Sequence, residues 1–191
     1  GGPFVPTPAL GLGRVTVAEA LRHPKWSMGA KITVDSARLV NRGFEVIESH
    51  WLFVIPAEKI DVIVHPQSIT HSMVEFEDGA IKAQLGTPDM RLPIQYALMF
   101  PVRKDYGGER FDFTKNPSLT FEQVDHSRFP ALGIAYECLG KGGTAACTLN
   151  AANDMAVAAF LAGKIGYTDI VKVIEKTLGA VDFVPEPSVE D

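Results

Sequence analysis

The chain has 191 residues, 46% of them hydrophobic and 21% charged, which is the composition of an ordinary globular protein. Its formal net charge of −5, without a run of lysine or arginine, argues against nucleic acid as the main partner. Two cysteines are too few for a disulfide framework and favour a reducing compartment. We find no signal peptide and no apolar run of the ~18–20 residues that a membrane span needs, so no membrane partner is expected.

The first part of the chain alternates loops with short predicted elements. Residues 1–14 are rich in glycine and proline and are expected to be extended or looped. A capping box at Thr16–Glu19 predicts a short helix to about Arg22, and a loop follows over 23–29. Lys31–Val34 is predicted to be a strand because it alternates and is rich in β-branched residues.

A longer helix is predicted directly after that strand. Asp35-Ser36 offers a hydroxyl that suits the N-cap of this helix. Four apolar residues of the helix share the spacing of a buried face, namely Val40, Phe44, Ile47 and Trp51.

Strand patterns dominate the next stretch. Ile60–Val64 is predicted to be a strand, and His71–Phe76 with Ala80–Leu85 is predicted to be a hairpin around Glu77-Asp78-Gly79. Pro93 suits the first turn of a short helix that runs to about Phe100.

The second half of the chain changes character. Residues 101–130 have no clear period and are predicted to be a linker with strand pieces near Leu119–Phe121. Three predicted helices then form a small bundle: Ala131–Leu139, Thr144–Ala162 and Thr168–Leu178. The predicted class is α+β, a mixed sheet with helices on one face followed by a C-terminal helical bundle. The predicted domains are residues 1–105 (catalytic), 106–129 (linker) and 130–191 (bundle).

One face of the predicted helix carries a group of polar side chains. Asn41, Arg42 and Glu45 are three or four residues apart and project from neighbouring positions, while Ser36 lies at the predicted positive end. The hydroxyl, the amide and the guanidinium suit a phosphate, and the carboxylate suits a divalent cation. The alternative is an amphipathic helix whose Arg42–Glu45 pair is a surface contact.

Other possible motifs are weaker. The histidines lack zinc-ligand spacing, and Gly11-Leu12-Gly13 lacks the context of a dinucleotide fingerprint. Trp26 and Met28 suit either a lid that excludes water or a loop pinned to the core. The asparagines Asn150 and Asn153 are expected to fix packing through hydrogen bonds.

Several segments resemble the 1-deoxy-D-xylulose 5-phosphate reductoisomerase family, and they follow that family's order over nearly the whole chain. The matching segments are 23–29 (HPKWSMG), 31–37 (KITVDSA), 41–48 (NRGFEVIE), 65–68 (HPQS), 84–93 (QLGTPDMRLP) and 149–153 (LNAAN).

The resemblance implies an enzyme that isomerises and reduces 1-deoxy-D-xylulose 5-phosphate to 2-C-methyl-D-erythritol 4-phosphate in non-mevalonate isoprenoid synthesis. It implies NADPH and Mg²⁺ or Mn²⁺ as cofactors, a phosphosugar substrate, a homodimer, and the bacterial cytoplasm or a plastid. Family members have an N-terminal NADPH-binding domain before the catalytic domain and the bundle. The resemblance leaves that first domain without a counterpart in these 191 residues, and Gly1–Phe4 is expected to match a point inside the catalytic domain.

The resemblance also implies roles for single residues. Glu45 would bind the metal, and Gly29 and Met90 would lie beside NADPH. The remaining residues would hold or cover the substrate; they are His23, Trp26, Met28, Ser36, Asn41, Arg42, Ser68, His71 and Pro88.

Two departures from the family pattern have consequences. The family usually has lysine at the position of Arg42, so the depth of the phosphate is expected to differ. Its other two metal-binding carboxylates and a substrate-binding serine are expected upstream of Gly1, so the chain alone is expected to be inactive. Two alternatives stay open: a catalytically silent dimerisation or interaction module, and a sugar-phosphate isomerase or aldolase that uses no nucleotide.

Overall fold

The structure, a computed structural model, describes residues 3–4 and 9–190. Its helices are α1 (Ala9–Leu12), α2 (Val17–Ala20), α3 (Ala30–Ala37), α4 (Val40–Phe53), α5 (Arg91–Met99), α6 (Pro130–Lys141), α7 (Ala145–Leu161) and α8 (Asp169–Ala180), with a 3-10 turn at Ala57–Lys59. Its strands are β1 (Ile63–Val64), β2 (Thr70–Glu75), β3 (Ile81–Leu85) and β4 (Glu122–Gln123).

The contacts divide the chain into two compact units. We call Gly1–Val62 with Gln123–Asp191 the helical unit, and Ile63–Glu122 the hairpin unit. This division groups the residues differently from the predicted domains, whose boundaries at 105 and 129 stay a prediction.

The α+β class is confirmed. Within the described residues the strands form two two-stranded sheets, β2 with β3 and β1 with β4. The predicted hairpin is confirmed: β2 and β3 run antiparallel, with Val74 opposite Lys82 and Glu75 opposite Ile81. Helix α5 also lies where a short helix is predicted, although it starts two residues before Pro93.

The three predicted C-terminal helices are confirmed as α6, α7 and α8, each within about two residues of its predicted bounds. Helix α7 packs against α8, α6 and α3. Leu149 and Val157 of α7 are 1% and 0% exposed, and Ile170 and Ile174 of α8 are both 0% exposed. These four side chains belong to the core of the helical unit.

The prediction of a strand at Lys31–Val34 is wrong, because these residues lie in helix α3. Three features favour the helix over the strand preference of a β-branched run. Val34 and Ala37, three apart, are 0% and 1% exposed and join the core. The Thr33 hydroxyl donates to the Gly29 carbonyl at 2.8 Å, and Lys31 pairs with Asp35 one turn on at 2.9 Å.

The predicted apolar stripe of the long helix is only partly buried. Val40 is 1% exposed, and Phe44 and Ile47 pack against the core from partly buried positions. Trp51 is 70% exposed, so its predicted burial is wrong. Spacing indicates which residues share a face, but packing in this unit covers only the first turns of that face.

The predicted loop at residues 1–14 and the predicted linker at residues 101–130 each contain a regular element in the structure. Residues 9–12 form the single helical turn α1 instead of the predicted loop, while residues 1–2 and 5–8 of that prediction lie outside the described residues. In the predicted linker the structure has β4 at Glu122–Gln123, one residue beyond the predicted strand piece.

Candidate phosphate and metal site

The junction between α3 and α4 consists of two buried residues. Arg38 is 4% exposed and Leu39 is 2% exposed. Leu39 has a φ of 58°, in the left-handed region, which costs a non-glycine residue about 1–3 kcal/mol. The chain therefore turns sharply and enters α4 at Val40.

This junction changes the predicted place of Ser36. Ser36 lies in the last turn of α3, and its carbonyl accepts the Leu39 N–H at 3.3 Å. The prediction that Ser36 caps the next helix is therefore wrong, because the N-cap of α4 is Leu39. Asn41 and Arg42 do lie in the first turn of α4.

The structure brings Asn41, Arg42 and Glu45 together. The Asn41 Nδ2 donates to Glu45 Oε1 at 2.6 Å, and an Arg42 guanidinium N–H donates to Glu45 Oε2. The side chains of Arg42 and Glu45 are 49% and 40% exposed, so this cluster is open to ligands from solvent. We call these three residues the α4 cluster.

The α4 cluster has the donors that an anion requires. The first turn of a helix presents unpaired backbone N–H groups and the positive end of its dipole. Arg42 adds a planar set of N–H donors that matches the oxygens of a phosphate, and Asn41 adds an amide. Both side chains are held by Glu45, so they are oriented before a ligand arrives.

The loop before α3 is fixed by its own histidine. The His23 Nδ1 accepts the backbone N–H of Trp26 at 2.9 Å and that of Lys25 at 3.3 Å. At the far end, the Thr33 hydroxyl lies 2.8 Å from the Gly29 carbonyl and 3.5 Å from the Met28 carbonyl. Trp26 and Met28 are partly buried. The loop is therefore ordered by contacts at both ends and presents two apolar side chains.

Four other predicted site residues belong to the hairpin unit. Ser68 has a φ of 55° and donates its N–H to the His65 carbonyl at 3.0 Å in a tight turn. His71 Nε2 lies 3.1 Å from the Gly86 carbonyl. Met90 is 56% exposed at the N-cap of α5, next to the half-buried Pro88.

The hairpin unit also contains an open cavity of about 420 Å³. Cations and anions share its wall with apolar groups; the lining residues are Leu85, Gly86, Thr87, Leu92, Arg103, Lys104, Asp105, Tyr106, Glu109, Arg110 and Phe111. The Thr87 hydroxyl lies 3.1 Å from that of Tyr106 and donates to the Glu109 carbonyl at 3.0 Å. These contacts attach the segment 106–109 to the chain just after strand β3. None of the predicted site residues lines it.

The α4 cluster contains one carboxylate, that of Glu45. Over 3–4 and 9–190, the structure holds no group of three or more His, Cys, Asp or Glu side chains that would bind a metal. Each Glu45 oxygen accepts one hydrogen bond and keeps a second lone pair, so Glu45 fits as a single ligand of a hard cation. For a cofactor, a Cβ at the exposed Gly29 would meet no atom within 4 Å, so the backbone there is open to a close approach.

Behind the junction lies a group of buried polar residues. Asp35 is 1% exposed and accepts from Asn153 Nδ2 at 2.9 Å and from Lys31 Nζ at 2.9 Å. Burial disfavours the charged amine, but the hydrogen bonds to Asp35 and Asp154 outweigh it and raise the pKa of Lys31. The expectation that Asn153 fixes packing is confirmed, whereas Asn150 is exposed. The sequence did carry a signal for this group, since Lys31 and Asp35 are four apart once helix α3 is assigned.

Arg38 is a second buried polar residue, besides the group around Asp35, that the sequence patterns did not predict. Both of its terminal nitrogens are buried without a hydrogen-bond partner, and its guanidinium lies 5.9 Å from the centre of the Tyr167 ring. Burial lowers the pKa of Arg38 to about 10 and raises the pKa of Tyr167. No spacing rule would have predicted this burial, because charged residues are mostly exposed.

An α+β fold with an amide, a guanidinium and a carboxylate on the first turns of one helix has the chemical groups of the predicted class, a protein that binds an anion together with a cation. The sequence comparisons specify this class further. The model described as DXP reductoisomerase C-terminal domain matches residues 85–191, and that described as 1-deoxy-D-xylulose 5-phosphate reductoisomerase C-terminal domain matches residues 1–53. The chain belongs to the DXP reductoisomerase C-terminal domain family.

Curated relatives and solved structures agree with this assignment. The chain is 59% identical to 1-deoxy-D-xylulose 5-phosphate reductoisomerase of Chlorobium chlorochromatii, over 97% of this chain and 49% of that protein. It is 55% identical to the Acetivibrio thermocellus protein of that name, over 100% of this chain and 50% of the relative. It thus spans about half the length of the curated relatives it matches.

Two solved structures have the same fold. The reductoisomerase from Zymomonas mobilis in complex with NADPH has a TM-score of 0.91 at 48% identity, over 98% of this chain and 48% of that one. A DOX-P reductoisomerase in complex with NADPH, fosmidomycin and magnesium has a TM-score of 0.91 at 42% identity, over 94% and 44%. In the described part of our chain, every helix is too short or too polar to cross a membrane.

Proposed function

We propose that this chain is the C-terminal part of an enzyme that converts 1-deoxy-D-xylulose 5-phosphate to 2-C-methyl-D-erythritol 4-phosphate with NADPH and Mg²⁺ or Mn²⁺. The observation that carries the proposal is the α4 cluster, found in a chain 59% identical to a protein of that name. Proteins of this family have been solved with NADPH, magnesium and fosmidomycin, which supports the choice of cofactors.

In this proposal the α4 cluster binds both the phosphate of the substrate and the metal ion. Arg42 and Asn41 bind the substrate phosphate, and Ser36, which precedes the junction, contacts the same group. Phosphate binding away from the reacting carbons supplies energy for positioning them. Arg42 keeps the positive charge of the family's usual lysine, but its planar fork can hold two phosphate oxygens at once.

Glu45 would hold the metal as one of its ligands. A divalent cation bound there would supply Lewis-acid polarisation of a carbonyl. Trp26 and Met28 would cover the substrate, with His23 fixing their loop, and this cover would keep water from a reactive aldehyde. Gly29, and in the hairpin unit Ser68, His71, Pro88 and Met90, would contribute contacts to the substrate or to NADPH.

The proposal concerns the full-length protein, because the α4 cluster has a single carboxylate, no metal-binding group is found in the described part of the chain, and the sequence lacks a dinucleotide fingerprint. The 191-residue chain alone is expected to be inactive. The test is NADPH oxidation on addition of 1-deoxy-D-xylulose 5-phosphate, with and without a chelator, for the full-length protein and for the chain. Turnover without nucleotide would favour the isomerase or aldolase alternative, and no turnover with any nucleotide would favour the silent module.

A homodimer is part of the same proposal, and one surface supports it. Four consecutive residues at the end of α4, Trp51–Val54, are between 67% and 86% exposed. An exposed apolar patch of this kind is typical of an interaction surface. Sedimentation of the full-length protein tests this: Leu52→Glu is expected to shift a dimer towards monomer, and Glu48→Gln, on the same helix, is expected to leave it unchanged. A wild-type monomer would contradict it.

A further inference from the structure

The α3–α4 junction is attached to the bundle by a buried hydrogen bond. Asn153 of α7 donates from Nδ2 to Asp35 Oδ1 at 2.9 Å, across 118 positions of the chain, and the two residues are 0% and 1% exposed. The Asn153 Oδ1 is buried and accepts no hydrogen bond. Asn153 therefore binds Asp35 through its side-chain N–H group and not through its carbonyl oxygen.

Lys31 continues this attachment towards the surface. Its Nζ lies 2.9 Å from Asp35 Oδ2 and 2.9 Å from Asp154 Oδ1, so it bridges α3 to the residue after Asn153. Both carboxylate oxygens of Asp35 are therefore engaged, one with an amide and one with an amine. Asp35 cannot turn away without losing both partners.

The backbone that follows Asp35 requires such an anchor. The Asp35 carbonyl accepts the Arg38 N–H at 3.2 Å, and Leu39 next to it is held at a φ of 58°. A left-handed non-glycine residue persists only where its surroundings fix it. The Leu39 carbonyl then accepts the Gly43 N–H at 3.1 Å, in the turn that carries Asn41 and Arg42.

We propose that Asn153 is a positioning residue for the α4 cluster: by holding Asp35 it fixes the junction, and so the direction in which α4 presents Asn41, Arg42 and Glu45. The proposal rests on the proposed function, since the α4 cluster is its phosphate and metal site. Asn153 itself acts through Asp35. Displacement of a binding group by about 1 Å can cost on the order of 100-fold in rate.

An exchange of the two partners tests this idea in the full-length enzyme. Asn153→Asp places two carboxylates against each other and is expected to lower kcat/KM at least about tenfold, mainly by raising KM for the sugar phosphate. Asp35→Asn combined with Asn153→Asp reverses donor and acceptor and is expected to recover most of that loss. A kcat/KM within about twofold of wild type for Asn153→Asp, or no recovery in the double variant, would overturn the proposal.

A matched core variant separates positioning from stability. Val157 is 0% exposed one turn further along α7, so Val157→Ala is expected to lower the melting temperature while leaving kcat/KM within about twofold at temperatures where it is folded. If it lowers kcat/KM as much as the Asn153 variants do, Asn153 has a structural role only. Asn153→Ala takes the place of Asn153→Asp should the latter not fold.

A readout without catalysis keeps the two proposals apart. Hydrogen exchange of the amides of residues 38–43 is expected to be at least about tenfold faster in Asn153→Ala than in Val157→Ala. Equal exchange would overturn the role of Asn153. An inactive wild-type enzyme with faster exchange in Asn153→Ala would refute the proposed function and leave the anchored junction standing.

Discussion

Gly43 and Ala135 meet where α4 packs against α6, and their contact leaves no room for another methyl group. A Cβ built on Gly43 would lie 2.6 Å from the Ala135 Cβ. The first turns of α4, which carry the α4 cluster, therefore pack closely against α6 at Gly43.

Gly43→Ala is therefore expected to destabilise the protein. Overpacking of this kind costs about 1–3 kcal/mol, which exceeds the gain of up to about 1 kcal/mol that alanine brings to a helix. Thermal unfolding should show a lower melting temperature, and Ala135→Gly in the same chain should restore part of the loss. Gly133→Ala is the control, because a Cβ there meets no atom within 4 Å, and it should be neutral or stabilising.

In the full-length protein, if the proposed function holds, Glu45→Gln is expected to abolish turnover without unfolding it. The amide keeps the size of the side chain but loses the charge that a divalent cation requires, so kcat should fall at least about 100-fold. NADPH oxidation measures this, and the melting temperature should stay close to that of wild type because the side chain is 40% exposed. Glu48→Gln, on the exposed side of the same helix, is the control. Activity of Glu45→Gln similar to wild type would contradict the metal role.

In the full-length enzyme of the proposed function, substitutions of Arg42 are expected to act on substrate binding. Arg42→Met removes the charge-assisted hydrogen bonds to phosphate and should raise KM for the sugar phosphate about 10- to 100-fold, with a smaller change in kcat. Arg42→Lys keeps the charge and should stay within about fivefold of wild type. Steady-state kinetics measures both, with the exposed Arg14→Met as control. Equal KM values for Arg42→Met and wild type would exclude Arg42 from the phosphate site.

Arg38→Met is expected to stabilise the protein. It removes a buried cation whose terminal nitrogens lack hydrogen-bond partners, and replacing buried charged groups by apolar residues of similar volume is often neutral or stabilising, by up to about 4 kcal/mol. For a protein of this size that corresponds to a rise in melting temperature of about 2–4 °C per kcal/mol. Arg14→Met, at an exposed position, should change the melting temperature little. A lower melting temperature for Arg38→Met would show that Arg38 has a partner that outweighs its burial.

The same variant has a defined pH dependence. The pKa of Arg38 in the fold, about 10, lies below its ordinary value, so above pH 10 the unfolded chain binds more protons than the fold does. The contribution of this group to stability therefore rises with pH in that range. The advantage of Arg38→Met should be full below pH 10 and shrink above it, as measured by denaturant unfolding at several pH values.

Parts of the fold with strong local signals could be predicted from the sequence. The turn residues Glu77-Asp78-Gly79 set the hairpin, and the glycines at 140, 163 and 179 lie close to the ends of the three C-terminal helices. The spacing of Asn41, Arg42 and Glu45 was enough to place them together, because neighbours at three and four positions meet on any α-helix.

Only the tertiary structure decided the conformation of Lys31–Val34 and the place of Ser36. Local preference favoured a strand there, but burial of Val34 and Ala37, with the attachment of Asp35 to Asn153, makes a helix that ends before Arg38. The same holds for the burial of Arg38, and for Trp51, which is exposed although its spacing predicts a buried face. Local sequence determines which residues share a face, whereas burial depends on where distant helices pack, and residues 118 positions apart carry no local sign of their contact.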